Sequence, residues 1–374
     1  ITDAALGTTL HQQNLSPLRN KSDLRWMTSG SNPTGASHLL AARRIFSKAR
    51  GVVTWNNVFS LYNWKTWYRC AIDELRWARV DHPQLPENAL TLTQAYIEKN
   101  KLRPHLRELL EDSLVNLTYQ PLISIIMPVY NVEAGLLEEA VNSVLEQVYP
   151  NWELCIADDA STNPETLAAL ATLDDKRIKI VTRQQNGHIC RASNDAASLA
   201  TGEFIAVMDN DDLLSQNAFL EIVRLLQDHQ EADVIYSDED KIDLSRKHFD
   251  LHFKPDWSPT LLLGYNYINH LTCLRRSLFN EVGGFRIGYE GAQDYDLLLR
   301  VTEHTNRVFH IPKILYHWRA IPGSTAFKAS EKPIVSSSAH RILAEALQRR
   351  NIPAEIYAPD FARKLNVPVQ QLDF

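Results

Sequence analysis

The sequence predicts an α/β fold for residues 121–353, preceded by a smaller, mainly α-helical region, and three observations lead there. From Leu122 onward, short apolar runs rich in β-branched residues alternate with amphipathic segments, the texture of a mostly parallel sheet with helices on both faces. Several of those runs end in polar clusters, namely Tyr130-Asn131, Asp158-Asp159 and Asp209-Asn210-Asp211-Asp212. In a parallel sheet such ends fall along one edge, which is where open α/β sheets bind ligands. Before residue 120 the pattern is helical or irregular instead.

Taken in order, residues 1–50 are polar and poorly periodic, with the loop-like stretch Ser29-Gly30-Ser31-Asn32-Pro33-Thr34-Gly35. Residues 37–111 carry helical periodicity, seen in Leu39, Leu40, Ile45 and Phe46 and again in Val58, Leu61, Trp64, Trp67 and Tyr68. Five of the eight tryptophans lie before residue 80. They read as the core of a small helical module rather than a membrane-facing surface, since no basic amphipathic face accompanies them. Residues 116–121 form a linker that ends at Pro121. Strands are expected over 122–129, 152–157, 177–182, 203–208 and 232–236, the last running into Ser237-Asp238-Glu239-Asp240. Helices are expected over 133–147, 188–200 and 216–227, and Ser161-Thr162-Asn163-Pro164 supplies cap residues and an N-terminal proline for another. Residues 354–374 read as a tail or linker, so the chain divides at about 120 and 353.

Composition sets the outer bounds. With 374 residues and 44% hydrophobic content, the chain can bury a sizeable core. A net charge of -6 without a long basic block argues against nucleic acid as a partner. Cys70, Cys155, Cys190 and Cys273 are widely spread, which signals neither a zinc site nor a disulfide framework and fits a reducing cytoplasm. No run of membrane-spanning length occurs. The opening Ile1-Thr2-Asp3 has no initiator Met, so the sequence reads as part of a longer chain.

The acidic turn after the fourth expected strand carries the chemistry. Three carboxylates in four residues repel one another, and a divalent cation with a substrate diphosphate completing its shell would relieve that repulsion. The competing reading is a turn in which Asp212 or Ser215 caps the next helix.

These residues carry a resemblance. Pro121-Leu122-Ile123-Ser124-Ile125-Ile126-Met127-Pro128-Val129-Tyr130-Asn131, Asp158-Asp159-Ala160-Ser161-Thr162, Asn186-Gly187-His188, the acidic turn, Gly291-Ala292-Gln293-Asp294-Tyr295-Asp296 and Leu315-Tyr316-His317-Trp318-Arg319 stand in the order and spacing of family 2 glycosyltransferases with the GT-A fold. The chain resembles the bacterial members that build O-antigen, capsule and other surface polysaccharides. The resemblance implies a UDP- or dTDP-sugar donor, a glycan or lipid-linked glycan acceptor, and a Mn2+ or Mg2+ ion. It also implies a second catalytic domain in the same longer chain, a cytoplasmic location, and peripheral association with the inner face of the membrane.

By the same resemblance, Asp211 ligates the metal, Asp209 lies near the ribose and metal, and Asn210 sits between them. Pro128, Tyr130 and Asn131 flank the base. Asp159, or Asp158, accepts the imide N–H of a uracil or thymine ring, since a carboxylate only accepts. Arg191 and Arg319 pair with phosphate, although a small residue is usual in the family where Arg191 stands. His317 completes the metal shell or touches the diphosphate. Asp294 is the general base, and at the start of a helix it is expected to keep a low pKa. One base without a second carboxylate nucleophile implies single displacement with inversion. Asp238, Glu239 and Asp240 either reach substrate or form a solvated loop. Two other readings stay open at this point. One is a nucleotidyltransferase, which would need a glycine-rich basic loop that Val129-Tyr130-Asn131-Val132-Glu133 lacks. The other is an inactive binding domain, which would not need Asp209, Asp211 and Asp294.

Overall fold

The computed structural model describes residues 102–321 and 333–374, apart from 366 and 368, together with 93, 94 and 96–98. The expected tryptophan-rich module lies outside the described residues, as does Ser324-Thr325, which follows Pro322-Gly323 and is expected on a loop that closes over the donor.

The sheet grows outward from β1 (Ile123–Val129), every residue of which is buried. An unbroken apolar run suits a strand covered on both faces. β2 (Trp152–Asp158) flanks β1 on one side and β4 (Phe204–Val207) on the other, both parallel to it, with β3 (Ile178–Thr182) parallel at the edge. Register places Val129 beside Asp158 and Ile126 beside Val207, so the polar strand ends do share one edge. Beyond β4 the sheet turns mixed. β8 (Thr272–Arg275) is antiparallel to β4 and to β6 (Val234–Ile242), and β9 (Val308–Arg319) runs parallel to β6. The two-residue β5 (Leu213–Leu214) closes the far edge on β9, and β7 (His248–His252) forms a hairpin with β6.

Alternation along β1 splits the core in two. Ile123, Ile125 and Met127 join the apolar faces of α2 (Ala134–Leu145) and α5 (Ala218–Asp228). Ile126 points the other way, into a cluster with α4 (His188–Ser198), α8 (Gln293–Val301) and α9 (Pro333–Arg349). α5 shows why these helices form: Phe219, Leu220, Ile222, Val223 and Leu226 are buried at helical spacing, each contributing about 1.5–3 kcal/mol by leaving water. α3 (Pro164–Ala171) begins as expected, with Pro164 in its first turn and the Asn163 side chain accepting from the Glu165 N–H at 3.0 Å.

Three boundaries differ from expectation. β6 continues through Ser237-Asp238-Glu239-Asp240, and these acids are 2%, 4% and 2% exposed, so they are not a solvated loop. β9, which the sequence leads one to expect over 308–316, likewise runs on through Arg319. Residues 354–374, expected as a tail or linker, form β10 (Glu355–Tyr357), α10 (Asp360–Leu365) and β11 (Gln371–Asp373). Ala362 and Val367 are buried there, Ile356 and Leu372 pack on the second cluster, and the Gln370 N–H donates to Gly264 O at 2.8 Å. No helix among the described residues is long and apolar enough to cross a membrane.

Candidate active site

The acidic turn leaves β4 and is pinned from three sides. Asn210 Nδ2 donates to Pro128 O at 2.6 Å, tying the turn to the end of β1. The Asp209 N–H donates to Tyr316 Oη at 3.2 Å, and Tyr316 Oη in turn donates to Asp212 Oδ2 at 2.5 Å. From β9, the Arg319 N–H donates to Asp212 Oδ1 at 2.7 Å and its Nε to Asp211 O at 2.6 Å. Asp212 is therefore a buried anchor and caps no helix, because α5 starts after Asn217. Burial, reinforced by the charges of Asp211 and Asp209, pushes the Asp212 carboxyl well above the usual carboxylate range. That repulsion within one turn, and a donor set made of hard oxygens, fit a divalent cation such as Mn2+ or Mg2+.

Arg319 departs from its expected role. Its side chain is wholly buried and its Nη2 donates to Glu139 Oε2 at 2.7 Å, so it braces the turn instead of facing a phosphate. Glu139 also pairs with Arg246 at 2.7 Å, and that bond, with Arg319, holds its carboxyl below the usual range against the opposing effect of burial.

On the other side of β1, Asn131 takes a left-handed φ of 49° and its Oδ1 accepts the N–H groups of Thr162 and Asn163 at 2.7 and 2.8 Å. It shapes the loop that carries Asp158 and Asp159. Asp158 Oδ1 accepts the Ser161 N–H at 3.0 Å, while its Oδ2 is buried with no hydrogen-bond partner among the described residues. Asp159 Oδ1 meets Arg183 Nε at 2.9 Å and accepts the Gly187 N–H at 2.8 Å. Tyr130 is half exposed at the strand end. Arg191 is exposed in the first turn of α4.

Asp294 lies in the first turn of α8, and its Oδ2 accepts from Gln293 Nε2 at 3.1 Å. Its pKa runs opposite to the expectation: burial raises it, and the positive charge of His270 pulls it back only in part. Asp294 and His270 line a cavity of about 10 Å³ with Val207, Asn269 and Thr272, room for about one water or hydroxyl. His270 stacks on Tyr316 with ring centroids 4.6 Å apart, its backbone N–H donates to Glu239 Oε2 at 3.1 Å, and its ring Nδ1 lies 3.4 Å from the same oxygen. Burial opposes its ionisation, yet Glu239 raises its pKa to about 9. Through Tyr316 it joins the acidic turn to Asp294.

His317 is not brought into that set. Its Nδ1 lies 2.6 Å from Asp240 Oδ1 and its other nitrogen 3.0 Å from Ser215 Oγ. Sequence reasoning missed His270, Glu139 and Arg183. Glu139 reads as the solvent face of an amphipathic helix, and His270 stands in no motif; only the ring of polar residues Asn266, Asn269 and His270 in an apolar stretch signalled a buried function.

Residues 124–287 match the family described as Glycosyl transferase family 2. The putative glycosyltransferase EpsE of Bacillus subtilis is 30% identical over 248 residues, covering 63% of this chain and 86% of that protein. The chain belongs to glycosyl transferase family 2. The O-antigen biosynthesis protein RfbC of Myxococcus xanthus is 34% identical over 251 residues, 67% of this chain and 20% of that protein. An uncharacterised protein of Sinorhizobium fredii is 43% identical over 277 residues, 72% of this chain and 30% of that protein. The chain thus spans less than a third of the length of those last two relatives. The mixed α/β sheet is the GT-A fold of this family.

Proposed function

We propose that this chain transfers a sugar from a UDP- or dTDP-sugar to a hydroxyl of a growing bacterial surface glycan, with inversion at the anomeric carbon. The observation that carries the proposal is the convergence of the acidic turn and Asp294 on one end of the sheet, joined by Tyr316 and His270. Asp209 and Asp211 would hold Mn2+ or Mg2+, which supplies charge stabilisation to the departing diphosphate. Asp159 accepts the imide N–H of the base with its remaining oxygen, Asp158 offers a second acceptor, and Tyr130 flanks the ring. Asn131, Pro128 and Asn210 shape the pocket walls, and Arg191 reaches a phosphate.

Asp294 takes the proton of the acceptor hydroxyl, which enters the small cavity beside it. A carboxyl whose pKa is raised is a stronger base than an ordinary one, which suits this step. The imidazolium of His270 keeps enough of Asp294 ionised to act. Among the described residues no second carboxylate faces that cavity, which supports single displacement. The RfbC relative, named for O-antigen biosynthesis, supports a surface glycan as acceptor.

Calorimetry tests the donor side. UDP and dTDP should bind in Mn2+ and lose at least about tenfold in affinity in Asp211→Ala, the scale of losing a charge-assisted contact. Equal affinity of wild type and variant would remove the acidic turn from the site.

A further inference from the structure

Lys254 is the only buried lysine among the described residues, and none of its side chain reaches solvent. Lysine is almost never taken wholly out of water, because burying an ammonium ion costs several kcal/mol unless its charge and its hydrogens are matched. Here they are matched. Its Nζ donates to Ile268 O at 2.6 Å and to His270 O, and lies 3.3 Å from Glu239 Oε2. An ammonium carries three hydrogens and no acceptor, so all three point to partners inside the protein and none is left for a substrate. Lys254 therefore acts only through those partners. It is itself fixed, since it follows β7 and its backbone N–H donates to Asp238 Oδ1 on β6 at 2.8 Å.

The two carbonyls belong to the segment that joins α6 (Pro259–Gly264) to β8. Three successive carbonyls there, at 268, 269 and 270, each take a side-chain donor, the middle one from Thr272 Oγ1 at 2.5 Å. The His270 N–H goes to Glu239 Oε2, so the same carboxylate that faces Lys254 holds this residue from its other side. Between the two carbonyls bound by Lys254, Asn269 takes a left-handed φ of 40°. Such a backbone persists only where its surroundings over-determine it. Held in this way, Asn269 and His270 line the same small cavity as Asp294. A methionine could fill the space of Lys254 without the cost of burying a charge. What methionine cannot do is cross-link two carbonyls and a carboxylate at one point.

We propose that Lys254 is a positioning residue for sugar transfer: it fixes residues 268–270 so that His270 is held in the cavity wall it shares with Asp294, where the acceptor hydroxyl enters. This rests on the proposed reading of Asp294 as the base. The hydrogen bonds of Lys254 reach neither the acidic turn nor Asp294, so its loss should spare donor binding and act on turnover. A shift of about 1 Å in a group that orients reactants costs about a hundredfold in rate.

The test follows UDP release by the full chain in Mn2+ from a panel of UDP-sugars, with water or added monosaccharides as acceptor. For the sugar that wild type turns over fastest, Lys254→Met should lower kcat by about a hundredfold and leave donor KM and UDP affinity within about twofold. In a His270→Gln background the same change should cost less than about tenfold, because two residues that act through one group do not add. If Lys254→Met does not fold, Lys254→Met/Glu239→Gln, which leaves no carboxylate short of a cation, carries the same expectations. A second readout needs no substrate. In protein labelled with 15N-histidine, the ring resonances of His270, assigned by their loss in His270→Gln, should move in Lys254→Met while those of the exposed His105 stay. Wild-type kcat in the variant, an equal cost with and without His270, a loss of UDP affinity as large as the loss of kcat, or unmoved His270 resonances would each overturn the proposal. A wild type that releases UDP from no sugar would instead count against the transfer reading, and the ring resonances would then decide alone whether Lys254 holds His270.

Discussion

Asp294 shows how a fold changes what one residue can do. From its place at a helix start the dipole favours the charged form, yet burial wins and raises its pKa. As a base it must be ionised, so kcat should fall as pH drops through that raised value, at higher pH than for an ordinary carboxylate. Asp294→Asn keeps shape and polarity; it should lower transfer by roughly a hundred- to ten-thousand-fold while leaving UDP affinity and melting temperature nearly unchanged. Near wild-type turnover in that variant would reduce Asp294 to a structural residue. His270→Gln removes the positive charge that holds the Asp294 pKa down, so the acidic limb of the kcat profile should move to higher pH. A limb that stays in place would mean the two groups do not interact. Asp294 was legible because its neighbours form a motif. His270 was not, since its partners Glu239, Tyr316 and Asp294 come from three other elements.

At the scale of elements, polar residues inside strands mark where pattern reading stops. For Asp238, Glu239 and Asp240 the sequence leaves substrate contact and a solvated loop both open, because nothing adjacent compensates them. In the structure Glu239 meets Lys254 at 3.3 Å and His252 at 3.2 Å, and Asp238 meets His310 at 2.8 Å, all distant in sequence. Glu153 on β2 is a simpler case of the same device. It accepts from Ser124 Oγ on β1 at 2.6 Å, Lys179 on β3 at 2.7 Å and the Thr201 N–H before β4 at 2.5 Å, so one carboxylate joins three strands and the entry to a fourth. Burial alone would raise its pKa, but these bonds outweigh it and bring it down to about 2. A depressed acid stabilises the fold above its unfolded value and loses that contribution as pH falls through the folded one. Glu153→Gln should therefore cost about 2–3 kcal/mol at pH 7, and the gap in urea stability should narrow between about pH 4.5 and pH 2. A gap independent of pH would show that the charge contributes nothing.

For the whole molecule, the alternation of strand and helix placed the parallel half of the sheet, because a strand buried on both faces is continuously apolar. It did not place the antiparallel half, where β5 and β8 are short and pair with strands distant in sequence and β7 is added to β6 by a hairpin. The division near residue 120 can now be argued physically. α1 (Pro104–Asp112) and the 3₁₀ turn Ser113–Asn116 precede the sheet, and Leu110, Leu114, Leu117 and Tyr119 pack on its first core cluster. Gln227 of α5 accepts the N–H groups of Thr118 and Tyr119 at 2.9 and 3.2 Å and donates to Tyr119 O at 2.8 Å. The fully buried Tyr149 donates its hydroxyl to Pro121 O at 2.8 Å. We therefore propose that residues 102–121 belong to the catalytic unit. A chain beginning at Leu102 should melt as a cooperative unit and bind UDP in Mn2+. One beginning at Asn116 keeps Leu117, Tyr119 and the Gln227 bonds, and should lose about 1–2 kcal/mol from Leu110 and Leu114. One beginning at Leu122 also strands the Tyr149 hydroxyl and the Gln227 amide, and should lose about 3–5 kcal/mol in all. Urea unfolding of the three chains gives the order directly. Equal stability of the chains beginning at 102 and 122 would place the boundary at Pro121, and failure of the chain beginning at 102 to bind UDP would mean that earlier residues complete the site.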